Sequence, residues 1–428
     1  MKVFLVSANT EQINMPVMPL GLACVQQAVE NAGHATRALN LMTRENVGKH
    51  LESAVADFQP DVIGISVRNI DDQSMRQTRF LLPAVKEIVD SCRRLSRAPI
   101  VLGGAGYSIF PRSALAYLGA DMGIQGEGED AFVELLNRIE HRADIDGIPG
   151  LFTGKTEAPP VHPGSRPGWE RHPLPSPANG LNLHPDFKPE TIWLPFQTRR
   201  GCPMNCSYCS TAAIEGRRLR KRPLESVITV LRQYAEAGFE QFFITDNTFN
   251  FPLSYAKAFC REILKSRLDI RWQAILYPFG VDDELADLMA RSGCVQVSLG
   301  FESGSAAVLR AMNKRFTPSM VTEVSRLFKD RGIRRMGFLL LGGPGETRAT
   351  VMESLAFAEH LQPEMMRFTA GIRIYPHTEL EKIARTEGLL GPEEDLLAPR
   401  FYLEKSLSEW LPQTAAEWAE SHPGWIFS

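Results

Sequence analysis

The sequence has no long hydrophobic run and no block of charge of one sign. No apolar stretch approaches the roughly 18 residues that a helix needs to cross a bilayer, and the apolar start is too short for a signal peptide. The formal net charge of -3 over 428 residues gives no indication of general binding to nucleic acid or anionic membranes. Internal repeats and low-complexity tracts are also lacking. These absences favour a cytoplasmic globular protein, and the length predicts two or three domains.

Cysteine is scarce and unevenly distributed. An odd number, seven, in a large chain argues against a framework of disulfides. Four of them lie scattered in apolar segments that are typical of buried thiols: Cys24, Cys92, Cys260 and Cys294. The other three fall within eight residues and require a separate explanation.

Residues 1–140 alternate β-rich runs with amphipathic stretches. The runs lie at 3–7, 35–39, 62–67, 100–103 and 122–125, and the amphipathic stretches near 20–33, 46–57, 75–93, 112–118 and 128–139. Such βα units predict an α/β domain with a doubly wound, Rossmann-like parallel sheet. Because ligands bind at the carboxyl ends of such strands, the loops after Ser7, Ser66, Gly103 and Gln125 are candidate binding loops.

Residues 141–190 predict a linker, since they hold 10 of the 29 prolines and lose helical periodicity. From 191 to 388 the alternation resumes, with strands predicted at 192–198, 241–245, 271–276, 295–299, 336–341 and 367–374. Helices are predicted near 223–237, 253–267, 281–292, 304–331 with a break at Thr317-Pro318, 347–361 and 378–387. Six βα units indicate a partial (β/α)6 relative of the eight-stranded TIM barrel. Residues 389–428, with three tryptophans, are predicted to form a small C-terminal cap.

The three neighbouring cysteines come directly after the first barrel strand, in the order Cys202-Pro-Met-Asn-Cys206-Ser-Tyr-Cys209. Thiolates at this C-x3-C-x2-C spacing can converge on one metal centre, and they are one short of the usual four ligands. A [4Fe–4S] cluster held this way leaves one iron open to a small molecule. Zinc is the main alternative, but the nearest histidines for a fourth ligand, His172 and His184, lie in the linker.

Polar or glycine-rich groups also follow the other barrel strands, at 245–250, 277–279, 298–305, 342–347 and 375–379. Barrel active sites are assembled at these carboxyl ends, so the loops are candidates for one common site. Ordinary loop chemistry is the alternative for each, including helix capping by Ser303, Ser305 or Thr347.

The cysteine spacing, with Tyr208 before the third cysteine, resembles the motif of the radical S-adenosylmethionine superfamily. The resemblance implies that Cys202, Cys206 and Cys209 hold a [4Fe–4S] cluster whose open iron chelates S-adenosylmethionine. One electron then cleaves this ligand to a 5′-deoxyadenosyl radical. The resemblance also implies contacts between S-adenosylmethionine and further residues of the strand-end loops: Tyr208, Asp246, Asn247, Ser298, Glu302, Ser303 and Gly342. In this set Asp246 and Asn247 replace the commoner Gly-Gly-Glu that receives the methionine amine.

Four features of the amino-terminal part, in order, are similar to the cobalamin-binding subgroup of that superfamily. They are Pro19-Leu-Gly-Leu and the segments 61–66, 101–104 and 126–129. The resemblance implies cobalamin near the ends of these strands: Ser66, Gly103, Gly104, Gly126 and Glu127. Glycines there would leave room for a flat macrocycle, although a tight turn is the alternative. The loop after the first strand lacks the Asp-x-His-x-x-Gly histidine, so the implied cobalamin is base-off with no histidine ligand.

The implied reaction is cobalamin-dependent methylation of an unactivated carbon in a small-molecule or natural-product substrate. A flavodoxin or ferredoxin is the implied electron donor. The alternative is a non-methylating radical reaction on the same scaffold, such as cyclisation, oxygenation or rearrangement. Methylthio transfer to RNA would require three cysteines in the amino-terminal domain, where only Cys24 and Cys92 occur. A catalytically silent carrier would not need polar groups after six barrel strands.

A basic run precedes the predicted helix near 223–237: Arg217, Arg218, Arg220, Lys221 and Arg222. Such a run is usually a solvated face. The alternative is contact with a carboxylate or a docking patch for an electron donor.

Overall fold

The computed structural model describes residues 1–11, 18–42, 45–154, 169–177 and 188–428. The chain forms two compact units. The first consists of Met1–Asp72, Phe80–Pro195 and Thr211–Phe239, and the second of Gln73–Arg79, Phe196–Ser210 and Glu240–Ser428. The predicted domain limits stay a prediction, although each unit includes short segments from elsewhere in the chain. None of the described helices has the length and apolar character required to span a bilayer.

The first unit contains a six-stranded sheet. Its strands are β1 (Lys2–Ser7), β2 (Ala35–Asn40), β3 (Val62–Ser66), β4 (Ile100–Gly103), β5 (Met122–Ile124) and β6 (Leu151–Thr153). The order across the sheet is β2-β1-β3-β4-β5-β6; the first five strands are parallel and β6 is antiparallel to β5. This confirms the Rossmann-like prediction. The strand order reverses between β1 and β3, which is where sheets of this kind bind ligands.

Helices cover this sheet, so its central strands are buried on both faces and read as apolar runs. They are α1 (Leu20–Asn31), α2 (Val47–Phe58), α3 (Leu82–Leu95), α4 (Ala105–Ile109), α5 (Pro111–Leu118) and α6 (Glu129–Glu140). The prediction that α3 begins near residue 75 is wrong. Asp71 and Phe80 form an antiparallel bridge that closes a loop, and Pro83 in the first turn favours a helix start at Leu82.

Strand β6 lies inside the segment that was predicted to be a linker. Its Leu151 and Phe152 are buried against the edge of the sheet, so this part of the proline-rich segment belongs to the first unit's core. Residues 155–168 and 178–187 of the segment lie outside the described residues.

The chain then forms β7 (Trp193–Phe196) and the two-residue strand β8 (Arg199–Arg200). After the cysteines it returns to the first unit with α7 (Thr211–Ile214), β9 (Arg220–Lys221) and α8 (Leu224–Glu236). The helix predicted near 223–237 is thus confirmed, but it belongs to the first unit.

The barrel strands follow as β10 (Gln241–Ile244), β11 (Arg271–Leu276), β12 (Cys294–Glu302), β13 (Arg334–Leu341) and β14 (Met365–Ala370). Two-residue strands β15 (Ile372–Arg373) and β16 (Phe401–Tyr402) pair antiparallel with each other. A last strand, β17 (Trp425–Phe427), completes a seven-stranded sheet in the order β17-β14-β13-β12-β11-β10-β7. Strands β10 to β14 and β17 are parallel. The sequential order confirms the barrel-like prediction.

The helices of the second unit are α9 (Leu253–Lys265), α10 (Asp283–Arg291), α11 (Ala306–Ala311), α12 (Pro318–Lys329), α13 (Arg348–Leu361), α14 (Glu379–Thr386) and α15 (Leu411–Ser421). The predicted break at Thr317-Pro318 is confirmed. The Thr317 hydroxyl accepts from the Met320 N–H, and Pro318 occupies the first helical position. Residues 312–316 between α11 and α12 therefore form a loop.

The predicted C-terminal cap is corrected in one respect, because its last residues form β17 beside β14. Phe427 stacks on Phe368, and the His422 ring packs against those of Trp418 and Trp425, with centroids 5.1 Å and 4.4 Å away. A three-residue strand is too short to show an alternating pattern, so no pattern in these residues predicts it.

Candidate active site

The cysteine loop, residues 202–209, directly follows the end of the first barrel strand. The Cys209 N–H donates to the Cys206 carbonyl at 3.3 Å, a turn that brings these two residues close. The Ser207 N–H donates to the Met312 carbonyl (3.1 Å), and the Ser207 carbonyl accepts from the Leu380 N–H (2.9 Å). None of the three cysteines forms a disulfide, and each is of intermediate exposure. The backbone therefore fixes the loop while the thiols stay partly accessible.

Three thiols on this loop suit an iron–sulfur cluster better than a single zinc ion. Each thiolate of a [4Fe–4S] cluster binds a different iron, so the sulfurs need not meet at one point. Zinc requires donors around one point, and in the described ranges no three His, Cys, Asp or Glu side chains are grouped to hold one ion. His172 is in the first unit, with its Nε2 2.7 Å from Asp130. His184 lies outside the described residues.

Asp246, at the end of β10, is completely buried and uses both carboxylate oxygens inside the protein. Oδ1 accepts from the N–H groups of Thr198 (2.7 Å) and Arg199 (3.1 Å). Oδ2 accepts from the Thr198 hydroxyl (2.6 Å) and from Arg199 Nε (2.8 Å). This geometry fixes the segment that leads into the cysteine loop. The contact of Asp246 with the methionine amine stays a prediction. The half-buried Asn247 stays a predicted contact.

A lysine that the sequence analysis did not identify lies beside the cysteine loop. The side chain of Lys314 is only 3% exposed. Its Nζ donates to the Tyr208 hydroxyl (2.9 Å) and lies 3.4 Å from Glu302 Oε1. Lys314 is one of 47 lysines and arginines, and the sequence does not distinguish it from the others. Its placement depends on the loop after α11, which a backbone hydrogen bond joins to the cysteine loop at Ser207.

Burial and charge shift the pKa values of these groups. Burial raises the pKa of the Cys206 thiol, and the charge of Lys314 partly offsets the rise. The pKa of Tyr208 lies well above its usual value because the phenol is buried, and because Glu302 and the cysteines disfavour its ionisation. Burial lowers the pKa of Lys314, but Glu302 and Cys206 outweigh this and the net pKa is raised. The lysine is therefore charged and Tyr208 neutral at pH 7.

Glu302 ends β12 in a left-handed backbone conformation (φ 64°), at an irregularity in the pairing with β13. Its side chain is 11% exposed and is paired with Lys314. Its contact with S-adenosylmethionine stays a prediction, as does that of Ser298, which is half-buried on the same strand.

Ser303 is completely buried, and its hydroxyl is occupied within the protein. It lies 2.8 Å from the Ser354 hydroxyl and accepts from the Ser305 N–H at 3.0 Å. These bonds fit the alternative, support of the loop, and the contact of Ser303 with S-adenosylmethionine stays a prediction. Thr347 also fits that alternative, since its hydroxyl caps α13 by accepting from the Thr350 N–H.

Both the backbone conformation and the packing at position 342, after β13, require a glycine. Its φ is 88°, and a Cβ there would lie 2.4 Å from Leu403 Cδ1. The N–H groups of Gly342 and Gly343 donate to Glu346 Oε2, at 2.6 Å and 3.0 Å. Glu346 Oε1 is buried and accepts no hydrogen bond from the described residues. Gly342 thus shapes a turn around a buried carboxyl group.

We expect Glu346 to make stability depend on pH. Burial raises its pKa from 4.5 to about 7, although the two backbone donors oppose the shift. Because the folded pKa exceeds the unfolded one, the folded state keeps a proton that the unfolded state loses. The resulting stability is full below about pH 4.5 and is lost as pH rises through about 7. A shift of this size corresponds to about 3 kcal/mol.

Urea unfolding of wild type and Glu346→Gln at pH 5 and pH 8 measures this contribution. The stability of wild type relative to the variant should fall by about 3 kcal/mol between the two pH values. Glu353→Gln, an exposed carboxylate on α13, serves as the matched control and should show no such change. An equal wild-type-to-variant difference at both pH values would contradict a raised pKa for Glu346.

The predicted cobalamin residues lie at the carboxyl ends of β3, β4 and β5, on one edge of the first unit's sheet. A Cβ on Gly103 would meet no atom within 4 Å, so this position leaves open space. Gly104 has φ 99°, and a Cβ there would lie 2.6 Å from the Val67 carbonyl oxygen and 3.0 Å from Ser66 Oγ. Gly104 therefore fits the alternative of a tight turn. Ser66, Gly103 and Gly126 stay predicted contacts.

Glu127 is paired inside the first unit. Its carboxylate lies 2.5 Å from a nitrogen of the buried Arg220, and its contact with cobalamin stays a prediction. The basic run is thus not simply a solvated face. Arg222 is also buried, donates to the His172 carbonyl and lies 4.2 Å from the Trp169 ring. The run's other members are exposed: Arg217, Arg218 and Lys221.

Two family profiles match the chain. The family described as the radical SAM superfamily matches residues 197–358, and the B12 binding domain matches residues 6–136. Both parts of the chain are therefore similar to the families that the sequence motifs resembled.

Similar proteins extend over nearly the whole chain. The uncharacterized methyltransferase PH0819 of Pyrococcus horikoshii is 28% identical over 91% of this chain and 84% of its own length. The tryptophan 2-C-methyltransferase of Streptomyces laurentii is 26% identical, over 87% of this chain and 73% of its own.

Among solved structures, the radical S-adenosylmethionine methyltransferase TsrM from Kitasatospora setae, with tryptophan substrate and aza-SAM bound, has a TM-score of 0.86. It is 25% identical, and the match covers 100% of this chain and 91% of TsrM. A second TsrM structure holds cobalamin and a [4Fe–4S] cluster.

Proposed function

We propose, for a chain that belongs to the cobalamin-dependent radical S-adenosylmethionine enzymes, that it methylates an unactivated carbon of a small molecule. The observation that carries the proposal is the loop of three neighbouring cysteines, none of them in a disulfide, shortly after the first barrel strand, in a chain that also matches the B12 binding domain. The similarity to methyltransferases over most of the chain supports methyl transfer rather than another radical reaction.

In this proposal Cys202, Cys206 and Cys209 hold the [4Fe–4S] cluster and leave one iron for S-adenosylmethionine. When bound, the cluster supplies the electron that cleaves S-adenosylmethionine, and cobalamin supplies the methyl group. Asp246 and Arg199 support the cluster by fixing the backbone before the loop.

Other residues remain as proposed contacts with the two organic cofactors. Tyr208, Asn247, Ser298 and Glu302 belong to the strand ends that would surround S-adenosylmethionine. The open space beside Gly103 supports an approach of the cobalamin macrocycle to that edge of the sheet, together with Ser66 and Gly126. Asp246, Ser303 and Glu127 stay proposed contacts as well, although their side chains also have partners within the protein.

The partners and compartment follow from the same chemistry. We propose a flavodoxin or ferredoxin as the electron donor, because the cluster must be reduced before each cleavage. A cytoplasmic location is proposed because none of the seven cysteines forms a disulfide, as is usual in a reducing compartment. The substrate is proposed to be a small molecule or natural product, and tryptophan is a first probe because two similar proteins act on it or bind it.

Anaerobic reconstitution tests the proposal. The protein is loaded with iron, sulfide and hydroxocobalamin, its visible spectrum is recorded, and S-adenosylmethionine and dithionite are added with tryptophan or other candidate substrates. We expect both 5′-deoxyadenosine and S-adenosylhomocysteine by mass spectrometry. Omission of cobalamin should suppress S-adenosylhomocysteine at least about tenfold, since cobalamin carries the methyl group.

The products distinguish the alternatives. 5′-Deoxyadenosine alone would favour a non-methylating radical reaction. S-Adenosylhomocysteine alone would show methyl transfer without the radical. Neither product, from protein that holds a cluster, would overturn the enzymatic proposal.

A further inference from the structure

Lys314 is a buried cation placed against the cysteine loop. Its side chain is 3% exposed and makes its polar contacts with two groups of the candidate site, Tyr208 and Glu302. Tyr208 is the residue directly before Cys209. A lysine is rarely buried to this extent, because desolvation of its ammonium group is costly.

Three aromatic rings lie near the ammonium group. Its Nζ lies 5.2 Å from the ring centroid of Tyr208, 5.7 Å from that of Tyr277 and 5.8 Å from that of Phe316. Aromatic faces attract a cation at these distances. They also exclude water, so the charge of Lys314 is less screened than a surface charge.

The backbone around Lys314 is held on both sides. The Lys314 N–H donates to the Leu309 carbonyl (2.9 Å), and the Arg315 N–H donates to the Tyr277 hydroxyl (2.8 Å). Two residues earlier, the Met312 carbonyl accepts from Ser207 of the cysteine loop (3.1 Å). These bonds tie the position of the lysine to the position of the cysteines.

Comparison with another buried cation of the second unit shows what is particular about Lys314. Arg335, 2% exposed, donates to the carbonyls of Leu361 and Gln362 at the end of α13 and pairs with Glu364. Those contacts complete a helix end, so Arg335 serves the fold. The backbone N–H of Lys314 closes the end of α11, but its side chain reaches no helix end and has its polar partners in the candidate site.

We infer that Lys314 is a positioning residue whose fixed charge stabilises the reduced state of the cluster held by the three cysteines, with Glu302 limiting the effect. The inference rests on the proposed function, because it requires a [4Fe–4S] cluster on this loop. Reduction adds one electron from a low-potential donor, and it requires neither the breaking of a bond nor the transfer of a proton. A nearby positive charge lowers the energy of the more negative state, and charge near a cluster is known to set its potential.

The test is a redox titration of the reconstituted protein without S-adenosylmethionine, followed by the electron paramagnetic resonance signal of the reduced cluster. We expect Lys314→Met to make reduction at least about tenfold less favourable, a shift of about 59 mV to more negative potential for one electron. Lys314→Arg keeps the charge and should stay closer to wild type. Glu302→Gln removes the opposing charge and should shift the potential the other way.

Lys329→Met is the matched control, because it removes an exposed lysine from α12 of the same unit. It should leave the potential unchanged. An unchanged potential in Lys314→Met, or an equal shift in Lys314→Arg or Lys329→Met, would overturn the inference. If Lys314→Met folds but takes up no iron, the cluster potential of Glu302→Gln tests the inference. A more positive potential than in wild type supports the inference, and an unchanged potential overturns it.

Iron content and the visible spectrum of wild type are measured first. Absence of a cluster there would contradict the proposed function itself. A cluster that forms normally, but whose potential does not change when Lys314 is substituted, would contradict only the role of the lysine.

Discussion

Serine in place of Cys206 is expected to leave a folded protein that forms no catalytically competent cluster. Formation of 5′-deoxyadenosine should fall by a factor on the order of 1,000 or more, because the chemistry belongs to the cofactor. A serine hydroxyl is not deprotonated at neutral pH, whereas the thiolate is the form that binds iron. Cys206 is only partly buried, so its loss should cost the fold little. Iron content, the visible spectrum and product formation measure the effect.

Cys92→Ala is the control for the Cys206 variant. Cys92 is a completely buried thiol on α3 of the first unit, far in sequence from the cysteine loop. Its variant should bind as much iron as wild type and form as much 5′-deoxyadenosine. Full activity of Cys206→Ser would mean that the loop does not hold the cluster. Equal loss of iron in both variants would point to general unfolding instead.

Local patterns explain why much of the fold could be predicted from the sequence. Strand β11 has the predicted limits, because it is an apolar run between turn residues. The break between α11 and α12 follows from Thr317 and Pro318, whose capping and backbone preferences act on their own helix. The cysteine loop is likewise a short-range signal, since its three thiols lie within eight residues.

Side-chain direction at the site could not be predicted in the same way. A carboxylate after a buried strand, such as Asp246, can face a ligand or a neighbouring strand, and the choice depends on residues 47 or 48 positions away. The partner that decides the choice is Arg199, whose burial is visible only in the structure, because a buried guanidinium needs a carboxylate partner. Lys314 depends in the same way on Tyr208, which is 106 positions away.

Substitution of Asp246, which anchors the segment before the cysteine loop, is expected to have the largest effect on stability. Asp246→Asn keeps the shape of the side chain but removes the charge that compensates Arg199, in a pair whose members are 1% and 0% exposed. Loss of one partner from a buried ion pair typically costs 3–5 kcal/mol, so we expect about 3 kcal/mol less stability in urea unfolding of the metal-free protein. Iron uptake should also fall, because Thr198 and Arg199 lead into the cysteine loop.

Asp330→Asn is the control for Asp246→Asn, because it removes the same charge from an exposed ion pair instead of a buried one. Asp330 pairs with Arg326 at 2.7 Å on the surface of the same unit, where both side chains are about half exposed. Removal of this exposed pair should cost less than about 1 kcal/mol and leave iron uptake unchanged. Equal costs for the two variants would show that Asp246 is not the anchor of the cysteine loop. A large cost in Asp246→Asn with normal iron uptake would separate its role in folding from any role at the cluster.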